Sequence, residues 1–140
     1  MLTGIDPLLT GDLLRLLDRM GHGDTVLVVD AHYPAYRSGA PVVEVQASSP
    51  AVLAAIRSVV PYDDYEGPSV TLMAPEPGEG VEVGAELRAA ARAPEGEIDA
   101  IERFAFYDLA SAAFAVVRTA ETRKYGCVLL RKGVVGFGTD

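Results

Sequence analysis

Apolar residues between positions 10 and 20 recur with a helical period: Leu13, Leu14, Leu16, Leu17 and Met20 fall on i, i+3, i+4 and i+7 spacing, with Asp12, Arg15, Asp18 and Arg19 between them. The spacing predicts an amphipathic helix with Thr10 as its N-cap and Gly21 as its stop. The next apolar run, Thr25-Val26-Leu27-Val28-Val29, is continuous and β-branched rather than alternating. That pattern suits a strand covered on both faces. Val42 to Val45 reads as a second short strand, and Ser49-Pro50 opens a helix that runs to Val60 and stops at Pro61, since Ser caps and Pro is tolerated in the first helical turn. Val70 to Met73 is a third strand, and Pro75-Glu76-Pro77-Gly78-Glu79-Gly80 is a solvated loop. A helix is expected over 82–92, ended by Pro94. A strand over 98–104 runs into Phe106-Tyr107-Asp108, where a fourth helix begins and continues to Ala113. Two further strands are expected at 115–119 and 127–131. Together these elements predict one layered α/β/α domain over residues 1–140, with a mixed, mostly buried sheet of about six strands.

Composition and charge narrow the partners. Over 140 residues the chain is 49% hydrophobic and only 23% charged, with a mean hydropathy of +0.20. A folded chain is expected, not a disordered one. Twelve Lys and Arg against twenty Asp and Glu give a net charge of −8, and no basic cluster exceeds a pair. Such a field repels phosphate backbones and anionic lipid, so neither nucleic acid nor a membrane is expected as a partner. The N-terminus has no basic region, and Pro, Gly or a charge cuts every apolar run well before eighteen residues. A mature, soluble, cytoplasmic chain is the expectation. The single cysteine, Cys127, can form neither an internal disulfide nor a multi-thiolate metal site.

The candidate chemistry centres on two histidines. His22 and His32 bracket the first buried strand, in Gly21-His22-Gly23-Asp24 and Asp30-Ala31-His32. Loops at the ends of buried strands are where sites concentrate in open α/β sheets. His22, Asp24, Asp30 and His32 carry metal-ligating atoms, yet none of them follows a metal-binding spacing, and no metal is expected. No Gly-x-Ser-x-Gly elbow is present, and Cys127 lies in an apolar run where a thiolate is disfavoured. Phosphate cradles are missing too, since Gly136-Phe137-Gly138 is a lone C-terminal pair. What remains is noncovalent acid/base work without a cofactor. An imidazole, with an ordinary pKa of ~6.5, suits proton transfer at neutral pH, and such catalysis is worth roughly 10²–10⁴ in rate. His22 is the candidate acid/base and Asp30 its candidate carboxylate partner. At ~3.3 Å per residue, however, the intervening strand is about 16 Å long. Either the His22 loop folds back over the strand, or the site draws on two subunits.

Four collinear motifs carry a resemblance. Met20-Gly21-His22-Gly23-Asp24, then Asp30-Ala31-His32-Tyr33-Pro34-Ala35, then Arg103-Phe104-Ala105-Phe106-Tyr107, and finally Lys124-Tyr125-Gly126 with Leu129-Leu130-Arg131-Lys132-Gly133 resemble the D-ribose pyranase / L-fucose mutarotase family, closest to its L-fucose mutarotase branch. The match spans essentially the whole chain. It implies that His22 is the acid/base, that Asp30 binds sugar hydroxyls, and that Arg103 stands where the fucose branch carries arginine and the ribose branch tends to carry histidine. It also implies that Tyr125 and Gly126 belong to the sugar-contacting motif, whose usual third residue, Asn, is here Cys127. A thiol is a weak donor and acceptor, so a hydrogen bond to sugar is lost there if the Asn side chain makes it. His32 and Tyr33 are further possible contacts, and Tyr36 reads as loop packing. The implied activity is anomer interconversion of an aldose, L-fucose first. A ribose-pyranase activity, a sugar-binding module without turnover, and a scaffold with no small ligand are the alternatives. The implied assembly is a homo-oligomeric ring, commonly a decamer of two stacked pentamers. An interface of that kind would also cover apolar surface that a domain of this size, burying only ~68–70% of its unfolded surface, leaves outside.

Overall fold

The computed structural model describes residues 1–136, so Phe137 and Gly138 of the C-terminal glycine pair lie outside the described residues. Six strands form one sheet in the order β2-β5-β1-β6-β3-β4. They are β1 (Thr25–Val29), β2 (Val42–Val45), β3 (Val70–Met73), β4 (Ile98–Ile101), β5 (Ala115–Thr119) and β6 (Val128–Arg131). β2 pairs with β5, β5 with β1, and β3 with β4, all in parallel. β6 runs antiparallel to both of its neighbours, β1 and β3. Five strands therefore share one direction, and only β6 is reversed.

The helices α1 (Gly11–Arg19), α2 (Ser49–Arg57) and α3 (Val81–Ala91) pack on one face, and α4 (Arg103–Ala110) packs on the other. The continuous run in β1 serves both faces. Val26 and Val28 point into the cluster with Leu13, Leu17, Val52, Leu53 and Ile56, while Leu27 and Val29 pack with Phe106, Ala110, Val116 and Leu129. Fully burying an aliphatic side chain of this size is worth about 1.5–3 kcal/mol, so β1 anchors both layers.

Several boundaries differ from the sequence expectation. Thr10 precedes α1 but makes no side-chain cap bond, and the helix turns at Met20, whose amide bonds Leu16 O, before Gly21 is reached. Ser48, not Ser49, caps α2: its hydroxyl accepts the Ala51 amide at 3.3 Å, and the helix ends at Arg57. The largest correction falls on the expected strand over 98–104, which stops at Ile101. Glu102 accepts the Phe104 and Ala105 amides at 2.9 and 3.0 Å, so Arg103 and Phe104 are the first residues of α4. A side chain that satisfies free amide donors fixes a helix start more firmly than β-propensity extends a strand.

Candidate functional site

Strand direction decides what can meet at the pocket. Because β1, β3 and β4 run the same way, the residues that end or follow them, Asp30, Met73 and Arg103, come to one edge of the sheet. β6 runs the other way, so the residue before it, Cys127, arrives at the same edge. A pocket of about 330 Å³ opens there, lined by Asp30, His32, Tyr33, Met73, Arg103, Tyr107, Lys124, Tyr125 and Cys127. It lies beyond the C-terminal ends of parallel strands, where α/β sheets place their ligands.

Asp30 is the buried carboxylate of this pocket, 5% exposed. Its Oδ1 accepts the His32 and Tyr33 amides at 3.0 and 3.1 Å, a turn that orients the acid, and its Oδ2 faces the Cys127 thiol at 3.4 Å. Burial, reinforced by the neighbouring Asp30 charge, pushes the Cys127 thiol well up, so it stays a neutral weak donor. Burial likewise pushes Tyr33 up to about 12, with Cys127 and Tyr107 adding to it, so its phenol remains a donor. The rings of Tyr33 and Tyr107 lie 5.5 Å apart and form one wall with Met73. His32 donates from Nε2 to Thr122 O at 2.9 Å. Arg103 is exposed at the rim, its guanidinium 4.6 Å from the Phe104 ring centroid.

Tyr125 takes a left-handed backbone conformation, φ 64°, and its ring packs against Gly80. Burial raises its phenol pKa against a hydrogen bond with the Glu76 backbone that lowers it, and the Glu79 carboxylate adds to the rise. Gly126 is buried beneath this turn and does not line the pocket. A Cβ there would lie 2.7 Å from Glu121 Cγ, so its part is close packing. Of the remaining candidates, Asp30, Arg103, Tyr125 and Cys127, with His32 and Tyr33, come together. Tyr36 is 62% exposed and stands outside.

His22 does not join them. Its loop is pinned at the opposite edge: Gly21 N donates to Asp24 Oδ2 at 2.8 Å, Gly23 N to Lys132 O at 2.8 Å, and Lys132 N to Asp24 O at 2.8 Å. Lys132 Nζ then binds Leu17 O and Met20 O, each at 2.7 Å, closing the end of α1 onto the same loop. The expectation that this loop folds back over β1 fails within one chain. What faces His22 electrostatically is Asp63. Partial burial by itself would raise that carboxyl, but hydrogen bonds from Arg131 and the Tyr65 amide, with the nearby His22, hold it below its ordinary range.

Met73 and Tyr107 line the pocket without having been singled out as site residues, as does Lys124. Met73 carried no signal, because a methionine ending an apolar strand reads as core. Among the described residues, no group of three or more His, Cys, Asp or Glu is placed to hold a metal ion. No helix among them is long and apolar enough to cross a membrane.

Comparison with known proteins gives a consistent answer. The L-fucose mutarotase of Glaesserella parasuis serovar 5 (strain SH0165) is 39% identical over 146 residues, covering 100% of both chains. The L-fucose mutarotase of Actinobacillus pleuropneumoniae serotype 5b (strain L20) is 37% identical, covering 96% of this chain and 97% of its own. Among solved structures, the fucose mutarotase of Streptococcus pneumoniae in complex with L-fucose superposes with a TM-score of 0.89 at 29% identity, over 96% of this chain and 100% of that one. The fold of Bacillus subtilis RbsD complexed with D-ribose is similar too, with a TM-score of 0.80 at 22% identity, covering 97% of this chain and 100% of that one. The sequence profile of the RbsD / FucU transport protein family matches residues 3–135, and with these relatives it establishes that the chain belongs to that family.

Proposed function

We propose that this protein is a sugar mutarotase that interconverts the anomers of an aldose, L-fucose first, by noncovalent ring opening and reclosure. The observation that carries the reading is the pocket itself. A buried carboxylate, a rim arginine and a tyrosine held in a strained turn converge on a space at the small end of ligand-binding cavities, beside an aromatic and methionine wall. A pyranose has the same two-sided character, with hydroxyls on one set of edges and C–H groups on its faces. Asp30 and Arg103 bind hydroxyls, Tyr125 packs on the ring or relays a proton, and the wall of Tyr33, Tyr107 and Met73 takes the apolar surface. Cys127 offers only its thiol where the family's usual Asn would offer an amide.

Anomer exchange removes the proton from the anomeric hydroxyl and delivers one to the ring oxygen. The open aldehyde rotates, and the ring recloses on the other face. His22 is the acid/base in this reading, and it reaches the pocket from a neighbouring copy of the chain in a homo-oligomeric ring. Support comes from the surface beside His22, where a groove of about 280 Å³ runs between α4 and the sheet, lined in part by Thr25, Thr71, Leu109, Ala112 and Leu129. Phe104, Leu109, Val134 and Val135 are exposed large apolar side chains, 61%, 47%, 74% and 60%, and an interface would cover such groups. Residues 1–140 act as one domain, in the cytoplasm.

The test is magnetisation exchange between the two anomeric protons of L-fucose, with D-ribose for comparison and His22→Ala as control. Exchange well above buffer for L-fucose, lost in His22→Ala, is the expected result. Sugar binding without exchange would mark a binding module instead, and faster exchange of D-ribose would mark a pyranase.

A further inference from the structure

We infer that Glu121 is a positioning residue of the sugar pocket: held in place by Arg123 through its buried carboxylate, it joins, through its backbone carbonyl and its side chain packed under Gly126, the two chain segments, 30–33 and 124–127, that supply most of the pocket's polar groups. The inference rests on the mutarotase reading for what the pocket does, and on the contacts below for how it is held.

Glu121 is 4% exposed, yet it does not line the pocket. Its carboxylate is held by a residue two positions on: Oε2 accepts the Arg123 amide at 3.1 Å and Arg123 Nε at 3.0 Å, and Oε1 accepts Arg123 Nη2 at 2.9 Å. The remaining face of that guanidinium reaches Glu86 on α3. These hydrogen bonds from Arg123 hold the Glu121 carboxyl below the ordinary glutamate range despite its burial, and the Ser49 amide at the start of α2 adds to them.

On one side of the latch lies the Asp30 segment. Thr119 Oγ1 accepts the Glu121 amide at 3.2 Å and donates to Val29 O at 2.7 Å. Glu121 O accepts the Ala31 amide at 2.8 Å, and Thr122 O accepts His32 Nε2 at 2.9 Å. The backbone on both sides of Asp30 is thus tied to residues 119–122. On the other side lies the Tyr125 turn. Gly126 sits so close over the Glu121 side chain that a Cβ would fall 2.7 Å from Cγ and 3.0 Å from Ser49 Oγ. Tyr125, in its left-handed conformation, is the residue before that contact.

Stability alone does not call for this arrangement. A desolvated ion pair contributes little relative to apolar side chains filling the same space, whereas directional, charge-assisted hydrogen bonds from a planar fork set geometry. Here that geometry is the relative placement of Asp30 and Tyr125.

The test compares Glu121→Gln, Arg123→Gln and the control Glu82→Gln, which removes only a carboxylate 85% exposed and 3.8 Å from Arg123. Circular dichroism and thermal unfolding report folding, anomeric exchange of L-fucose gives KM and kcat, and amide chemical shifts of Ala31, His32 and Gly126 report the segments directly. Glu121→Gln is expected to raise KM by about 10- to 100-fold, the scale of a misplaced contact group, with a smaller change in kcat and shifted amides at all three positions. Arg123→Gln, at a side chain one-third exposed, should act in the same direction, and it decides the matter if Glu121→Gln does not fold. Glu82→Gln should match wild type. Folded variants with wild-type KM and unmoved amides would overturn the latch. A wild-type chain that exchanges no aldose would refute the mutarotase reading instead, and the amide shifts would then decide the latch by themselves.

Discussion

His22 and Asp30 stand at opposite ends of the same five-residue strand, β1, and the hydrogen bonds of Gly23 and Asp24 with Lys132 keep them apart. One chain therefore presents the carboxylate of one site and, on the proposed function, the imidazole of another. Inactive chains should complement each other. Mixing His22→Ala with Arg103→Ala under conditions that exchange subunits should restore about a quarter of wild-type exchange, since half the imidazole donors and half the pockets are intact and assort at random. Each variant alone should stay inactive. No recovery after verified subunit mixing would place both groups in the same chain's site.

Cys127 meets Asp30 through a long S–H···O contact of 3.4 Å, a poor match for a buried acid. Cys127→Asn should supply an amide donor there. KM for L-fucose should fall several-fold, in keeping with about 0.5–1.5 kcal/mol for one neutral hydrogen bond, and titration calorimetry should show the same gain in affinity. An unchanged or weakened affinity would mean that the side chain at this position does not reach the sugar.

Gly80 adopts φ +64° and lies under the Tyr125 ring, where a Cβ would be 3.2 Å from Tyr125 Cβ and 3.1 Å from Pro75 Cβ. Gly80→Ala combines a left-handed alanine, costing about 1–2 kcal/mol, with pressure on the tyrosine. Tm should drop by roughly 3–8 °C, and KM should rise while the fold is retained. A fall in Tm with unchanged KM would show that Tyr125 keeps its place without this support.

Acid should weaken the fold through Glu121 and Asp63. Both carboxyls are held below their ordinary values, Glu121 by Arg123 and Asp63 by Arg131 against a partial burial that works the other way. A depressed folded-state pKa gives stability that is present above the unfolded value of ~4 and lost as pH falls through the folded one. Urea unfolding should therefore show stability declining below about pH 4, and Glu121→Gln should flatten that decline while lowering stability at pH 7. Parallel pH profiles for variant and wild type would remove Glu121 from the acid response.

Local pattern made most of the elements legible in the sequence. The heptad-like leucines of α1, the unbroken apolar run of β1 and the proline and glycine punctuation around α2 and the 75–80 loop each reflect a rule that acts over a few residues. The boundary at which strand gave way to helix, the end of β4 at Ile101, turned on a single glutamate side chain reaching forward to free amides. The site was legible only as separate motifs. Asp30, Arg103, Tyr125 and Cys127 were identifiable, but nothing local announced Met73 as a pocket wall or Gly126 as the packing partner of a buried Glu121.

Sequence by itself determined which segments are helix and strand, which faces are apolar, and which residue types are present for acid/base chemistry. Tertiary structure decided which of them meet. The reversal of β6 brings Cys127 to the end of β1 and carries Lys132 to its start, so one strand both completes the pocket and anchors His22 away from it. Lateral strand order and direction are set by backbone pairing and core packing between segments far apart in the chain, as Thr25 of β1 pairs with Arg131 of β6, and hydrophobic period along a chain reports a segment's faces without naming its neighbours.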